Sequence, residues 1–295
     1  MVYLVDASVY VFRAWFALPD SMESRDGEPI NAFRGFAGFL ASLLEELGEA
    51  PLAIAFDESL VSSFRNEIHP DYKSSRELPP AELERQFQWC RELCRALGLV
   101  EMASPRYEAD DLIASLAREA HGRGEAVTVL SRDKDLSQVL RDGDFFWRSP
   151  DKPPQAYHDL AQNLGFPPER MADYLALVGD PVDDIPGVPG VGAKTAARLI
   201  AHFEDLDGLY GELESRGEAA LQGLKLRGAA GISARLREHR DTAYHARRLT
   251  GLVDDIPGLD SARPPGRIDR SALEALDAGP GLGQRLRGRW LEAKT

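Results

Sequence analysis

The sequence predicts a parallel, doubly wound α/β sheet in its first half and an all-helical second half. Three observations carry this. Short apolar runs end in aspartate, helical apolar spacing fills the gaps between them, and strand-like runs vanish after about residue 166. Val2 to Val5 is the first strand-like run, ending in Asp6. From Ala32 to Leu47, Phe33, Phe36, Phe39, Leu40, Leu43, Leu44 and Leu47 recur at helical spacing, closed by Gly48. Leu52 to Phe56 is a second strand, ending in Asp57. Residues 62–80, "SSFRNEIHPDYKSSRELPP", are polar and proline-broken and predict a loop. A helix over Ala81 to Leu97 is closed by Gly98. A strand near Leu99 to Met102, a helix over Ala109 to Ala120 and a strand over Ala126 to Leu130 follow. A helix from Glu169 to Val178 then leads into "GDPVDDIPGVPGVGAKTAARLI", helices run to about residue 250, and the tail is punctuated by proline and glycine.

With 295 residues, 43% hydrophobic and 28% charged, the chain has room for one large or two small domains. No run approaches the roughly 18 apolar residues of a membrane span. The N-terminus lacks a basic, apolar secretory leader. Cys90 and Cys94 are the only cysteines, too few for a disulfide framework or a zinc site. The expected compartment is the reducing cytoplasm. A formal charge of −13 argues against nucleic acid. That total conceals a basic stretch: between Leu221 and Arg248, seven basic residues stand against two acidic ones.

The carboxylates carry the chemistry. In an open α/β sheet, functional groups gather at the carboxyl ends of the strands. Asp6 and Asp57 end strands, Glu108, Asp110 and Asp111 open a helix, Asp133 and Asp135 follow a strand, and Asp180 and Asp183 follow the helix opening the second half. Singly, each reads as a helix cap or a turn residue. Jointly they do not, because two carboxylates about 4 Å apart repel by roughly 4 kcal/mol at an effective dielectric near 20. Hard divalent cations, Mg²⁺ or Mn²⁺, are the natural counter-charge. Such a cleft suits two-metal phosphoryl-transfer chemistry. Nothing points to a serine or cysteine nucleophile. A haloacid-dehalogenase phosphatase requires Asp-x-Asp after its first strand, whereas Asp6 is followed by Ala7-Ser8.

These residues resemble the structure-specific 5′ nucleases, or flap endonucleases, of the kind that forms the N-terminal domain of bacterial DNA polymerase I. The segments are "YLVDASVYVFRAWFALP", "LAIAFD", "FRNEIHPDYKSSRE", "YEADDLIASLA", "VLSRDKDLSQVL" and "GDPVDDIPGVPGVGAKTAARLI", with a weaker match to about residue 250. The resemblance implies a PIN-like core over residues 1–165 with a helical arch at about 62–97. It implies a helical DNA-binding domain over 166–250, with a helix–hairpin–helix at about 171–203, and leaves 251–295 as a tail without a role. It implies a first metal site from Asp6, Asp57, Glu108, Asp110 and Asp111, and a second from Asp133, Asp135, Asp180 and Asp183. Lys73 and Arg76 would contact the scissile phosphate, and Tyr72 would stack on a base. Gly187, Gly190 and Gly192 bring backbone close to a phosphate, with K⁺ at the hairpin carbonyls. Lys194, Arg198, Lys225 and Arg227 would grip duplex backbone without reading bases.

The implied activity is metal-dependent cleavage of branched or 5′-ended DNA (5′ flap, nicked or overhang duplex) leaving 5′-phosphate and 3′-hydroxyl, by a stand-alone monomer. Three positions depart from the family pattern: Ala7 for glycine, Arg132 for the glycine before Asp133, and Asp184 for the asparagine after Asp183. Arg132 and Asp184 add charge beside the second site. The rivals are a DNA-structure-binding protein with weak or no hydrolysis and an RNA-directed PIN-like nuclease.

Overall fold

The computed structural model describes residues 1–59 and 63–292. Six strands form one sheet: β1 (Val2–Asp6), β2 (Leu52–Asp57), β3 (Val100–Ser104), β4 (Val127–Leu130), β5 (Phe145–Trp147) and β6 (Gln155–Ala156). Their order is β3-β2-β1-β4-β5-β6, parallel throughout except for the β5–β6 pair. The first helices are α1 (Ala7–Ala17), α2 (Asn31–Leu47), α3 (Arg65–Ile68), α4 (Ala81–Ala96), α5 (Ala109–Gly122) and α6 (Tyr157–Leu164). The helical half holds α7 (Met171–Val178), α8 (Ala193–Phe203), α9 (Leu206–Arg216), α10 (Ala229–Glu238) and α11 (Arg240–Thr250). The tail adds α12 (Arg270–Ala278) and α13 (Gln284–Trp290).

The sheet is covered on both faces, which is why its strands read as unbroken apolar runs. Val5, Ile54, Phe56 and Leu130 pack against Phe33, Phe36 and Leu40 of α2 and Leu83 and Phe87 of α4. Leu4, Ala53, Ala55 and Val129 face Leu112, Ile113 and Leu116 of α5. The helical half has a separate core built on Met171, Leu175, Leu199, Phe203, Leu209 and Leu236.

Two readings need correction. The segment expected to form a helical arch over about 62–97 does not arch along its whole length. Position 62 lies outside the described residues, and α4 is docked: Leu83, Phe87, Cys90, Leu93 and Cys94 are buried in the core beneath the sheet. That stripe removes more apolar surface from water than a projecting helix could. The tail, which had no role, closes the same core. Leu273, Leu276, Leu282, Leu286 and Trp290 are buried there. The chain reaches it by pairing Leu52 with Arg263 and by backbone bonds from Gly266 N to Gly98 O (2.8 Å) and Asp269 N to Ala96 O (2.8 Å). Elsewhere the differences are small: the third strand is Val100–Ser104, β5, β6, α1 and α6 are additional elements, and the short α3 interrupts the stretch predicted as loop over 62–80. Among the described residues, no helix is long and apolar enough to cross a membrane.

Candidate active site

Strand order reverses direction between β1 and β4, and in open α/β sheets ligands bind outside the strand carboxyl ends at such a point. A cavity of about 160 Å³ lies there. Eight of the nine predicted acids line it: Asp6, Asp57, Glu108, Asp110, Asp133, Asp135, Asp180 and Asp183. The fold delivers them by short local routes. Asp6 and Asp57 are the last residues of β1 and β2. Glu108 precedes α5 and Asp110 lies in its first turn. Asp133 caps a 3₁₀ turn after β4, accepting from Asp135 N at 2.9 Å. Asp180 and Asp183 occupy the turn after α7, held by paired backbone bonds between Asp180 and Ile185.

Two serines not foreseen from the sequence brace the first pair. Ser131 Oγ donates to Asp6 Oδ2 at 2.7 Å, and Ser8 Oγ accepts from Asp57 N at 2.9 Å. Ala109 N donates to Asp57 Oδ1 at 2.9 Å.

The cavity is hostile to negative charge. Burial, then Asp57 and Asp133, push the Asp6 carboxyl up to about 7 despite the Ser131 hydrogen bond. Burial and then Asp133, with Asp180 and Asp183, push Asp135 up to about 7. Asp57 and Asp133 are raised mainly by burial, and Asp110 well above its usual range by burial and then Asp6, Asp133 and Asp57. Glu108 runs the other way: burial alone would raise it, but Lys73 and Arg65 hold it below its usual value.

Cations of the chain itself supply part of the counter-charge. Lys73 Nζ lies 2.8 Å from Glu108 Oε1 and 4.0 Å from Asp183 Oδ2, and Arg76 pairs with Asp183. Lys73 has a left-handed backbone (φ 56°), as does Asp184 (φ 57°), whose carboxylate accepts from Ser75 N at 2.8 Å. The acidic turn thus grips the segment that carries Lys73 and Arg76.

Two predicted residues sit differently. Asp111 does not line the cavity; it is fully buried and both its oxygens are taken by Arg65, at 2.8 Å each. Tyr72 is 3% exposed and packs into the helical-half core, so its ring is not presented for stacking on a base. Its hydroxyl donates to Glu108 Oε2 at 3.1 Å and lies 3.3 Å from Asp183 Oδ2.

The donor set fits hard divalent cations in kind: carboxylate oxygens only, several disfavoured as anions where they stand. Asp135 Oδ1 is buried without a hydrogen-bond partner among the described residues, an orphan acceptor facing this cluster. Among the described residues, however, no three His, Cys, Asp or Glu side chains are arranged to hold an ion together. Lys73 and Arg76 instead pair with two of the acids, Glu108 and Asp183. The residues therefore fit metal after a side-chain rearrangement.

The predicted hairpin follows α7. Gly179 and Gly187 are pressed backbone to backbone: a Cβ on Gly187 would meet Val178 O at 2.2 Å. Gly190 has φ +75° and lies under the Arg235 side chain, while Gly192 caps α8 into open space. Lys194, Arg198, Lys225 and Arg227 are all exposed on this half, and Arg198 donates to Lys225 O at 3.2 Å.

A cavity lined by eight acids, six from the carboxyl edge of an α/β sheet and two from a helical half that bears a glycine hairpin, suits a metal-dependent nuclease. The family described as "5'-3' exonuclease, N-terminal resolvase-like domain" matches residues 1–162, and "5'-3' exonuclease, C-terminal SAM fold" matches residues 166–263. The chain belongs to the 5′-3′ exonuclease family. It is 38% identical to DNA polymerase I of Rhizobium leguminosarum over 263 residues, covering 87% of this chain and 25% of that protein. It thus spans about a quarter of the polymerases it matches. It is 29% identical to a 5'-3' exonuclease of Buchnera aphidicola over 256 residues, 87% of each chain. The bacteriophage T5 flap endonuclease, solved as a pseudo-enzyme-product complex with DNA and metal ions, shares the fold at TM-score 0.62 and 19% identity, covering 99% of this chain and 96% of that one.

Proposed function

We propose that this protein is a structure-specific 5′-3′ exonuclease and flap endonuclease that hydrolyses DNA phosphodiesters near single-strand/duplex junctions, leaving 5′-phosphate and 3′-hydroxyl. The observation that carries this is the convergence of eight acids on one cavity beside Lys73 and Arg76. Asp6, Asp57, Glu108 and Asp110 would hold one divalent cation, and Asp133, Asp135, Asp180 and Asp183 a second, Mg²⁺ or Mn²⁺. When bound, such ions activate water and stabilise the leaving oxygen. The chain's own residues do the rest. Glu108 and Asp183 hand Lys73 and Arg76 to the incoming phosphate, where they offset developing negative charge. Gly192, in open space at the start of α8, would offer backbone N–H groups to a phosphate, with Gly187 and Gly190 shaping the hairpin and K⁺ at its carbonyls. Lys194, Arg198, Lys225 and Arg227 hold the duplex by its backbone. Relatives support this reading: an exonuclease in Buchnera and a T5 flap endonuclease solved with DNA and metal ions. A monomer acting in the cytoplasm suffices for it.

The test is cleavage of labelled 5′-flap, nicked and blunt duplexes and of single-stranded RNA, with and without Mg²⁺ or Mn²⁺. Metal-dependent cleavage at the flap junction is expected. Binding of flap DNA with no cleavage in either metal makes the protein a DNA-structure-binding module, and preferred cleavage of RNA makes it an RNA-directed nuclease.

A further inference from the structure

Arg65 is the largest fully buried side chain among the described residues. Its planar fork is satisfied in five directions. Nη1 and Nη2 each donate to an Asp111 oxygen at 2.8 Å, and Nη1 also reaches Glu108 Oε2 at 3.4 Å. Nε donates to Leu249 O at 2.8 Å and Nη2 to Gly251 O at 3.1 Å. Burial alone would make this charge unfavourable, yet Asp111 and Glu108 raise the guanidinium above its ordinary value and keep it ionised. Asp111 passes the link on, accepting from Glu108 N at 3.1 Å and Val253 N at 2.9 Å. One side chain thus joins three stretches: the start of the Lys73 segment, the acidic start of α5, and the chain leaving the helical half.

We propose that Arg65 is a positioning residue for the site, acting through Asp111 to fix Glu108 against both the Lys73 segment and the crossing chain at 249–253. This rests on the nuclease reading. A structural ion pair could sit anywhere in a core, and replacing one by apolar residues is often neutral for stability. This pair instead touches the cavity edge through Glu108, and a lysine supplies the charge but not the planar five-donor fork. Groups that orient a metal's ligands typically alter its affinity 10–100-fold when changed.

The test uses Arg65→Lys in the full chain, with three readouts. Mn²⁺ affinity, titrated without DNA, falls about 10-fold. Single-turnover cleavage of a 5′-flap duplex falls at least about 30-fold, and flap-DNA affinity measured in Ca²⁺ stays within about threefold. A folded Arg65→Lys protein with wild-type Mn²⁺ affinity and rate overturns the proposal. If that variant does not fold, the apolar double replacement Arg65→Met with Asp111→Leu takes its place. Asp111 lines no part of the cavity, so wild-type Mn²⁺ affinity in the double variant overturns the proposal equally. In the unmodified protein, Mn²⁺ should slow hydrogen exchange at the Val253 amide, and unchanged exchange also counts against it. A wild-type protein that binds Mn²⁺ but cuts no DNA defeats the nuclease reading and leaves these titrations to judge Arg65.

Discussion

Asp135 presents a buried carboxylate oxygen with no hydrogen-bond partner among the described residues and a carboxyl pushed up to about 7 by burial and Asp133. The proposed ligand position would give that oxygen its missing partner. Asp135→Asn should therefore lower single-turnover flap cleavage at least ~100-fold, several kcal/mol of lost transition-state stabilisation, with DNA affinity nearly unchanged. Unaltered turnover would remove Asp135 from the site. Lys73 offers a contrasting case, since its ammonium is already spent on Glu108. If it transfers to the phosphate, Lys73→Ala loses about 100-fold in rate and little in affinity, measured under single-turnover conditions; a loss confined to affinity makes it a binding residue only. Most of the acids were legible because they end a strand, open a helix or follow a strand directly, whereas Asp180 and Asp183 reach the cavity from the turn after α7 and Asp111 turns away from it. Arg65 and Tyr72 were not legible. They lie in a polar, proline-broken stretch, and their burial comes from partners remote in sequence. Arg65 reaches Asp111 across 46 positions and Leu249 across 184.

Secondary structure shows the same division between local pattern and distant packing. Leu83, Phe87, Cys90, Leu93 and Cys94 follow the spacing of a buried helical stripe. That stripe docks α4 on the sheet, so the residues over the cavity are those before it, Arg65, Tyr72, Lys73 and Arg76. β5 and β6 escaped notice because runs of three and two residues are too short to display a period of two. The glycine hairpin was read for what it offers a phosphate, but the structure adds a packing duty to one member. Any side chain on Gly187 drives into the Val178 carbonyl, whereas Gly192 looks into open space at a helix cap. Gly187→Ala should cost about 1–3 kcal/mol of stability in denaturant unfolding and weaken duplex binding. Gly192→Ser, suited to a cap, should leave stability unchanged within about 0.5 kcal/mol or raise it. Equal effects at the two positions would mean that the hairpin is loosely packed.

For the molecule as a whole, the sheet core and the helical half meet at a cluster whose charge they disfavour. Tail closure was illegible in the sequence because Leu273, Leu276 and Trp290 complete a core built on α2 and α4, far upstream in the chain, and no local period announces such a partner. The charge cluster has a pH signature with a definite sign. Asp6 and Asp135 move from the ordinary 3.8 to about 7 in the folded state, so the folded protein keeps protons that the unfolded chain releases. Stability from these groups is greatest below pH about 4 and is lost as pH rises towards about 7. His245, lowered by burial, His69 and Arg248, has the opposite sign near the top of that window, but it is largely solvated and contributes less. A divalent cation at the proposed site would bind the deprotonated cluster and so recover stability in the range where protons no longer supply it. Metal-free protein should lose melting temperature from pH about 5 to about 8, and Mg²⁺ should restore more of it at the higher pH. Asp135→Asn should flatten both trends, isolating the cluster from His245. A metal-free melting temperature that climbs across the interval, with no added gain from Mg²⁺ at high pH, would show that these carboxylates are solvated and ionised, and the two-metal site would go with them.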